Sequence, residues 1–316
     1  MNEKWKKIMD GVSIPVIAAP MFLVSSPALV IESCKKGIIG SFPLLNARTS
    51  DLLEEWILDI KQQLNAFQEE TGKQAAPWAV NFIAHSSNKR LESDLELIKK
   101  YQPPIVITSL GHPGAVLEVV HSYGGLVISD VSNLKHARKA ATTGVDGLIL
   151  VCGGAGGHAG EINPFAFLGA VKKFWDGVTI LAGSISTGKD VLAAEVMGAD
   201  FAYMGTRFIS TKESVATDAY KEMLATSSLE DLIYTDAFSG VRANYLIPSL
   251  VKEGIDPSSL KSKQTVDLDH LVDAKAWRDI WSAGQGVTVI EKEETVTELV
   301  DGLKREYDEA LHSMNR

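Results

Sequence analysis

The regular alternation of short apolar runs with longer amphipathic stretches most constrains the fold of this chain. The eight apolar runs occupy residues 16–20, 38–43, 78–83, 105–110, 126–131, 148–152, 179–182 and 201–205. Runs that are apolar on both faces are typical of buried parallel strands. Helical patterns lie between them at 28–36, 51–70, 91–101, 134–143 and 191–197. This rhythm predicts a closed (β/α)8 TIM barrel of the α/β class; an open doubly wound sheet, built from the same units, is the alternative.

The strand–helix rhythm stops after Arg207. Residues 212–224 carry a helical pattern, further units are then missing, and a last amphipathic helix at 294–314 completes the eighth unit. Loops at the carboxyl ends of barrel strands usually build the active site. We therefore predict a barrel formed by residues 1–207 and 286–316, with 208–285 as a mostly helical insertion that shapes the substrate pocket.

The charge and the cysteines narrow the location and the partners. A net charge of −9 gives a field that repels nucleic-acid phosphates and anionic lipid surfaces. Cys34 and Cys152 stand far apart in apolar surroundings, which is typical of reduced thiols in a cytoplasmic protein. No apolar run reaches membrane-spanning length, and the start of the chain lacks the core of a signal peptide. We therefore expect a cytoplasmic protein without membrane or nucleic-acid partners.

Glycine and polar residues collect where the apolar runs end, and barrel enzymes bind their ligands there. The seventh run ends at Gly183-Ser184 and the eighth at Gly205-Thr206. In many barrels the backbone amides after strands seven and eight bind a phosphate. The two dipeptides are therefore predicted to hold the phosphate of a ligand.

Two partial motif matches point elsewhere and are rejected. Residues 183–190 nearly fit a P-loop, but Asp190 stands where the magnesium-binding Ser or Thr is required. Residues 154–159 fit a dinucleotide fingerprint, but the next strand ends at Gly183 without the acidic residue that would bind the ribose. Neither an NTPase nor a dinucleotide-binding fold is predicted.

The segment 153–160, Gly-Gly-Ala-Gly-Gly-His-Ala-Gly, follows the sixth run and contains His158. So much glycine indicates a backbone that lies close to a flat ligand. A histidine in this setting is predicted to act on the ligand, whereas a loop imidazole bonded to a carbonyl is the alternative. Among the other histidines, His112 alone follows a strand and is a candidate pocket residue. No two histidines have metal-ligand spacing, so no metal site is expected.

A glycine-rich patch at 281–286 lies near the end of the insertion. It is either a turn around a buried tryptophan or a contact with the ligand.

Taken together, these segments resemble the nitronate monooxygenases, formerly called 2-nitropropane dioxygenases, which share a fold with FMN-dependent enoyl-acyl-carrier-protein reductases. The similarity runs from Ile14 to the final helix and rests on residues 18–21, 80–82, 153–160, 182–184 and 204–208. The glycine–histidine run is the most specific of these. The chain departs from the family at Val151 and Gly154, where many members carry a Gln and an acidic residue.

The resemblance implies an FMN-binding barrel with His158 as the catalytic residue. It assigns cofactor contacts to Ala19, Pro20, Met21, Asn81, Gly154, Gly183, Ser184, Gly205, Thr206 and Gln285. The first three residues lie along the isoalloxazine by their backbone, and Asn81 hydrogen-bonds the flavin. The loops after strands seven and eight hold the phosphate, and the segment ending at Gln285 returns to the flavin.

The implied reaction is oxidation of alkyl nitronates, and of nitroalkanes as further substrates, by O2 to a carbonyl compound and nitrite or nitrate. The partners are then a small-molecule substrate and O2, with a homodimer as an open expectation. One alternative is NAD(P)H-dependent flavin reduction of an enoyl thioester or a quinone. Two others are a non-catalytic flavin-binding or phosphate-ligand-binding protein and a phosphosugar-metabolising barrel without flavin.

Overall fold

The structure is a computed structural model that describes residues 3–85, 88–263 and 279–314. Eight parallel strands form one sheet: β1 Val16–Ala18, β2 Gly40–Pro43, β3 Trp78–Ile83, β4 Ile105–Ser109, β5 Leu126–Val131, β6 Gly147–Val151, β8 Val178–Ala182 and β9 Phe201–Met204. The short strand β7 (Gly157–His158) lies outside this sheet. β1 pairs with β9, and a parallel bridge from Ile17 to Ile39 joins β1 to the chain just before β2. The sheet thus closes on itself, which confirms the predicted barrel and excludes an open doubly wound sheet.

The helices of the described chain follow the same rhythm. They are α1 Glu3–Ile8, α2 Pro27–Lys35, α3 Ser50–Thr71, α4 Leu91–Tyr101, α5 Gly114–Ser122, α6 Leu134–Ala141, α7 Pro164–Val171, α8 Gly188–Val196, α9 Thr206–Ile209, α10 Asp218–Thr226, α11 Ile247–Lys252 and α12 Val296–Met314. Side-chain caps fix several starts, since Thr49 accepts from the N–H of Leu52 and Asn133 from that of His136. α12 packs on α2 and α8 and completes the eighth unit. No helix within the described ranges is both long and apolar enough to cross a bilayer.

The amino-terminal helix α1 closes the bottom of the barrel. Trp5 is fully buried, stacks on Phe201 with ring centroids 5.8 Å apart, and donates its indole N–H to the carbonyl oxygen of Asp146 at 3.0 Å. It packs with the apolar side chains that fill the barrel. A ligand can therefore reach the interior only from the carboxyl ends of the strands.

The side chains inside the barrel change from apolar to polar toward that open end. The apolar ones that point inward include Ala79, Ile107, Ile128, Ile149 and Phe201. Two residues further along each strand, and hence on the same face, are Asn81, Ser109, Asp130, Val151 and Tyr203. The top layer of the barrel is thus a mostly polar floor beneath the cavity at its mouth.

The insertion contains strands as well as helices. Besides α10 and α11, its described part holds β10 (Leu232–Thr235) and β11 (Ala243–Leu246), which pair in antiparallel fashion. β11 also pairs with β7, so a second, three-stranded sheet joins the insertion to the glycine-rich segment. Residues 264–278 of the predicted insertion lie outside the described residues.

The helix expected at 212–224 starts later, at α10, because Thr217 provides its cap. The residues before it extend along the chain that precedes α12, where Lys212 donates its N–H to Glu294 O at 3.0 Å. The helical pattern is therefore correct in type and misplaced at its start.

Candidate active site

A cavity of about 1150 Å³ opens at the carboxyl ends of the barrel strands. Most of the residues singled out from the sequence line it: Ala19, Pro20, Met21, Asn81, Gly154, His158, Gly183, Ser184, Gly205 and Thr206. Gln285 does not line the cavity, although its neighbours Gly284 and Gly286 do. The structure therefore gathers these residues around one site, with Gln285 immediately behind its wall.

The loop after β1 has a backbone shape that neighbouring side chains fix. The N–H of Ala19 donates to Met204 O at 2.8 Å, and that of Met21 donates to Ser25 Oγ at 2.9 Å. The buried Asn46 donates from Nδ2 to Met21 O at 3.0 Å and accepts at Oδ1 from Leu23 N at 3.0 Å. This clamp by Asn46 was not predicted, because the amide lies in the next strand–helix connection. It holds residues 19–21 as a rigid edge of the cavity.

The loops after β8 and β9 present backbone N–H groups to the cavity. Gly183 has φ +116° and Ser184 has φ +59°. Residues other than glycine rarely adopt positive φ, so the conformation of Ser184 indicates that the surrounding structure imposes the shape of this loop. Among the described residues, the N–H groups of Ser184 and Thr206 donate to no other residue. Such unpaired donors at the wall of a cavity suit the phosphate that the sequence predicts there.

The amino terminus of α8, in contrast, is already satisfied by side chains. Asp190 Oδ2 accepts from the N–H groups of Ser186 and Thr187 at 2.9 Å each, and Glu306 accepts from Gly188 N at 2.7 Å. A phosphate at this end of the barrel would therefore be held by the two loops at 183–184 and 205–206 rather than by α8.

The glycine-rich segment contacts the phosphate loop and the end of the insertion. Gly154 has φ +87°, and a Cβ atom on it would lie 2.2 Å from Ser184 Oγ and 2.7 Å from Gln285 Oε1. Gln285 donates its N–H to Gly154 O at 2.8 Å and accepts at Oε1 from Ser184 Oγ at 3.4 Å. The place of a side chain at position 154 is thus filled by Gln285, which ties the two loops together.

His158 is held by the insertion rather than by a free loop. It lies on β7 opposite Ala243 of β11, and the next residue, Ala159, donates its N–H to Arg242 O at 3.1 Å. The half-buried imidazole has Nε2 3.3 Å from Ser239 Oγ. The sequence placed His158 correctly at the cavity, but it gave no sign of this antiparallel pairing across the chain.

The patch at 281–286 combines the two roles considered for it. Trp281 is buried and stacks on Tyr220 with centroids 4.9 Å apart and 12° between the rings, and both rings also line the cavity. Gly284 donates its N–H to Thr206 Oγ1 at 2.9 Å. The patch therefore packs as a structural turn and forms part of the cavity wall.

A row of polar side chains crosses the floor of the cavity. Asn81 Nδ2 lies 2.6 Å from Ser109 Oγ, which in turn lies 2.6 Å from Asp130 Oδ2. Burial raises the pKa of Asp130 to about 6, and burial with the Asp130 charge holds that of Tyr203 well above its usual 10. Ser109 and Asp130 belong to the polar strand ends that the sequence predicts at the ligand site, but no role was assigned to them, and Tyr203 was not singled out. Each of the three lies two residues after an apolar residue that points into the barrel, and this spacing would have indicated that its side chain also points inward.

The remaining candidates have simple surroundings. His112 lines the cavity, and its Nδ1 accepts from the N–H of Gly114 at 3.1 Å. Within the described ranges, no three His, Cys, Asp or Glu side chains are grouped so that they could hold a metal ion. Cys34 and Cys152 are both buried as thiols, and burial raises the pKa of each to about 12.

Comparison with known proteins identifies the family of the chain. A family model described as nitronate monooxygenase matches residues 3–306. A nitronate monooxygenase of Paraburkholderia phytofirmans is 27% identical over 285 residues, covering 79% of this chain and 78% of that protein. A Rhodococcus jostii protein named (3aS,4S,5R,7aS)-5-hydroxy-7a-methyl-1-oxo-octahydro-1H-indene-4-carboxyl-CoA dehydrogenase is also 27% identical, over 76% of this chain and 65% of its own length.

Solved structures show the same fold at lower sequence identity. FabK of Thermotoga maritima superposes with a TM-score of 0.79 at 23% identity, over 100% of this chain and 99% of that chain. A nitroalkane oxidase of Streptomyces ansochromogenes gives a TM-score of 0.78 at 21% identity, over 98% and 100% of the two chains. The resemblance read from the sequence is confirmed by the family match. The chain therefore belongs to the nitronate monooxygenase family of flavin-dependent oxidoreductases.

Proposed function

We propose that this protein binds FMN and oxidises alkyl nitronates, and neutral nitroalkanes as further substrates, with O2 to a carbonyl compound and nitrite or nitrate. The observation that carries the proposal is the joint position of His158 and of the loops at 183–184 and 205–206 around one cavity. A titratable imidazole and a phosphate site in the same cavity suit a reaction in which a bound cofactor and a proton acceptor act on one substrate.

The residues around the cavity fit FMN. The N–H groups of Ser184 and Thr206 are donors for its phosphate, and the fixed backbone of residues 19–21 offers a flat edge for its ring. Asn81 is a polar partner for the ring on the cavity floor. Bound FMN would supply the redox chemistry with substrate and O2, while the protein supplies position and charge.

His158 would serve each substrate in a different protonation state. A nitronate carries negative charge on its nitro oxygens, with which a protonated imidazole pairs. A nitroalkane is neutral, and a neutral imidazole accepts its α-proton in the ordinary role of a general base near pH 7. Ser239, whose Oγ lies 3.3 Å from Nε2, restrains the ring while it exchanges this proton.

The substitution His158→Asn tests the proposal. We expect FMN to stay bound while turnover falls by about 10²–10⁴-fold, most strongly with neutral nitroalkane, because only that substrate needs a base. The matched control is His121→Asn on α5, since that imidazole is bonded to Asp146 at 2.8 Å and does not line the cavity. Full activity of His158→Asn would contradict the assignment.

The visible spectrum of the purified protein tests the cofactor itself. A bound flavin gives a yellow protein that is bleached when a nitronate is added without O2. A colourless protein would favour a phosphosugar barrel. A yellow protein that no substrate bleaches would favour a non-catalytic flavin-binding protein.

A second candidate is NAD(P)H-dependent reduction of an enoyl thioester or a quinone. It is favoured by the size of the cavity, at about 1150 Å³, which exceeds the needs of a small nitronate beside a flavin. Besides His158, the basic residues that line it are Arg48, His112, His136 and Lys139, whereas Asp130 is the acidic residue among the described lining. A larger anionic substrate would suit this lining, and the Rhodococcus relative carries the name of a CoA-thioester dehydrogenase. Rapid bleaching of the flavin by NADH under anaerobic conditions would identify this activity.

The location and the assembly of the protein complete the proposal. The net charge of −9 and the two buried thiols support a cytoplasmic location, which cell fractionation would test. A homodimer stays a prediction that sedimentation of the purified protein would check.

A further inference from the structure

Asn81, Ser109 and Asp130 form a continuous hydrogen-bonded row across the carboxyl ends of β3, β4 and β5. Both links of the row are 2.6 Å long, one from Asn81 Nδ2 to Ser109 Oγ and one from Ser109 Oγ to Asp130 Oδ2. The amide nitrogen of Asn81 also lies 3.3 Å from the carbonyl oxygen of Ile107. All three side chains of the row line the cavity in which the flavin is proposed to bind.

The hydrogen-bonding capacities of these groups fix the direction of the row. An ionised carboxylate only accepts hydrogen bonds, so Asp130 takes the single hydroxyl hydrogen of Ser109. Ser109 then has only lone pairs to offer Asn81, and the carbonyl of Ile107 is an acceptor too. The amide nitrogen must therefore face both of them, and within the described residues no donor is bonded to the amide oxygen Oδ1.

We propose that Asp130 is a positioning residue which, through Ser109, orients the carboxamide of Asn81 with Oδ1 toward the bound flavin. This inference rests on the proposed FMN cofactor. The oxidised isoalloxazine ring carries a single N–H group, and an amide oxygen is an acceptor for it. If the carboxamide were reversed, its own N–H groups would face the N–H group of the flavin ring. A buried donor would then be left without a partner, which is costly.

The surroundings of Asp130 make this orientation depend on pH. Burial raises the pKa of Asp130 to about 6, against the effect of the bond from Ser109. A protonated carboxyl no longer obliges Ser109 to donate to it, so the preference for one orientation of Asn81 weakens at low pH. The other titratable and charged groups among the described residues that line the same cavity are Tyr203, Tyr220, His158, His112, His136, Lys139 and Arg48. Tyr203 stays neutral because burial and the Asp130 charge hold its pKa well above 10.

A double-mutant cycle on the dissociation constant of FMN tests the inference. It compares wild type, Asp130→Asn, Ser109→Ala and the double variant at about pH 5 and about pH 8, on either side of the Asp130 titration. The phosphate of FMN itself titrates at about pH 6 and changes the affinity of every variant alike. Beyond this common change, we expect FMN to bind wild type roughly three- to tenfold more tightly at the higher pH, the worth of one hydrogen bond. Each single substitution should abolish this extra pH dependence, and the double variant should bind FMN as the single variants do.

Two outcomes of the cycle would overturn the inference. If the extra pH dependence, beyond that of the FMN phosphate, persists in Asp130→Asn, it would be assigned to the cavity histidines. Independent, additive effects of the two substitutions would show that Asp130 acts on the flavin without Ser109. If Asp130→Asn does not fold, Ser109→Ala decides alone, since loss of the extra pH dependence supports the relay and its persistence contradicts it.

The matched control is Thr108→Val. It removes the neighbouring hydroxyl contact between Thr108 and Ser129, 2.7 Å long and also between β4 and β5, while the row stays intact. This variant should keep the wild-type dependence of FMN binding on pH, and loss of that dependence would contradict a specific role for the row.

The orientation can also be followed without flavin, by the side-chain amide signals of ¹⁵N-asparagine-labelled protein. The Asn81 signals, assigned by their absence in Asn81→Asp, should titrate with a midpoint of about 6 in wild type and lose this titration in Ser109→Ala. A titration that survives in Ser109→Ala would contradict the relay. If wild type binds no FMN at either pH, the proposed cofactor fails, whereas this titration still tests the relay.

Discussion

The barrel and the insertion contribute different halves of the candidate site. The proposed phosphate loops, at 183–184 and 205–206, come directly after the barrel strands β8 and β9, and the last two residues of the insertion, Gly284 and Gln285, bond to them. His158, in contrast, owes its position to β11 and Ser239 of the insertion. If the proposed roles are right, cofactor binding depends mainly on the barrel and proton chemistry on the insertion, and substitutions should separate the two.

The largest effect is expected from Trp5→Ala at the bottom of the barrel. Loss of this fully buried ring and of its hydrogen bond to Asp146 should cost about 3–5 kcal/mol in the free energy of unfolding. Urea denaturation followed by tryptophan fluorescence and circular dichroism measures it. Flavin binding and turnover should be lost together, at the same denaturant concentration. If flavin binding and turnover were lost at clearly different denaturant concentrations, the two functions would not both depend on the folded barrel.

Gly183→Ala should weaken FMN binding selectively. The added Cβ atom would lie 2.9 Å from Gly153 O at a φ of +116°, a strain of about 1–3 kcal/mol. We expect FMN to bind about tenfold or more weakly, as measured by fluorescence titration, with turnover recovered at saturating FMN. Gly198→Ala is the control, because its φ is +99° but nothing lies within 4 Å of the added atom. Equal losses of FMN affinity in both variants would trace the effect to general backbone strain.

Ser239→Ala should lower turnover selectively. It removes the hydroxyl 3.3 Å from His158 Nε2, and we expect kcat to fall by roughly three- to tenfold while FMN affinity stays unchanged. Steady-state kinetics with a nitroalkane would measure kcat, and fluorescence titration would measure FMN affinity. Ser258→Ala, on an exposed turn of the same insertion, is the control. A drop in FMN affinity of Ser239→Ala would argue against the separation of the two halves.

Tyr234→Phe should have the smallest effect. Its hydroxyl donates to Ala159 O at 3.0 Å from a half-exposed position on β10, and such a bond contributes about 1 kcal/mol or less. We expect kcat to change by less than about threefold, with FMN affinity unchanged. A loss larger than that of Ser239→Ala would mean that β10, rather than Ser239, governs the position of His158.

The barrel and the position of the cavity at its mouth were predictable because their signals are local. Each buried strand is an apolar run in the sequence, and each strand end places its loop at the same face of the barrel. The burial of Cys34 and Cys152 and the place of the strand-end glycines at the cavity were likewise inferred from neighbouring residues in the sequence. The assignment of a flavin depended on the resemblance, since spacing alone indicated only a phosphate-bearing ligand.

The rest could not be predicted because it depends on register between distant segments. β7 is two residues long, and its pairing with β11 has no trace in the local pattern. In the same way, the row from Asn81 to Asp130 requires knowing which face of each strand points inward, and runs that are apolar on both faces hide this alternation. Only the closed barrel shows which side chains of each strand point inward.

The pairing of β7 with β11 has a consequence for the order of events during synthesis. Chains fold from the amino terminus as they leave the ribosome, and all strands of the barrel precede β11 in the sequence. The loops proposed to hold the cofactor phosphate emerge before residues 243–246, which pair with the strand of His158. The imidazole proposed as catalytic therefore acquires its β11 partner only after every barrel strand has been synthesised, whereas α12, which completes the eighth unit of the barrel, emerges last.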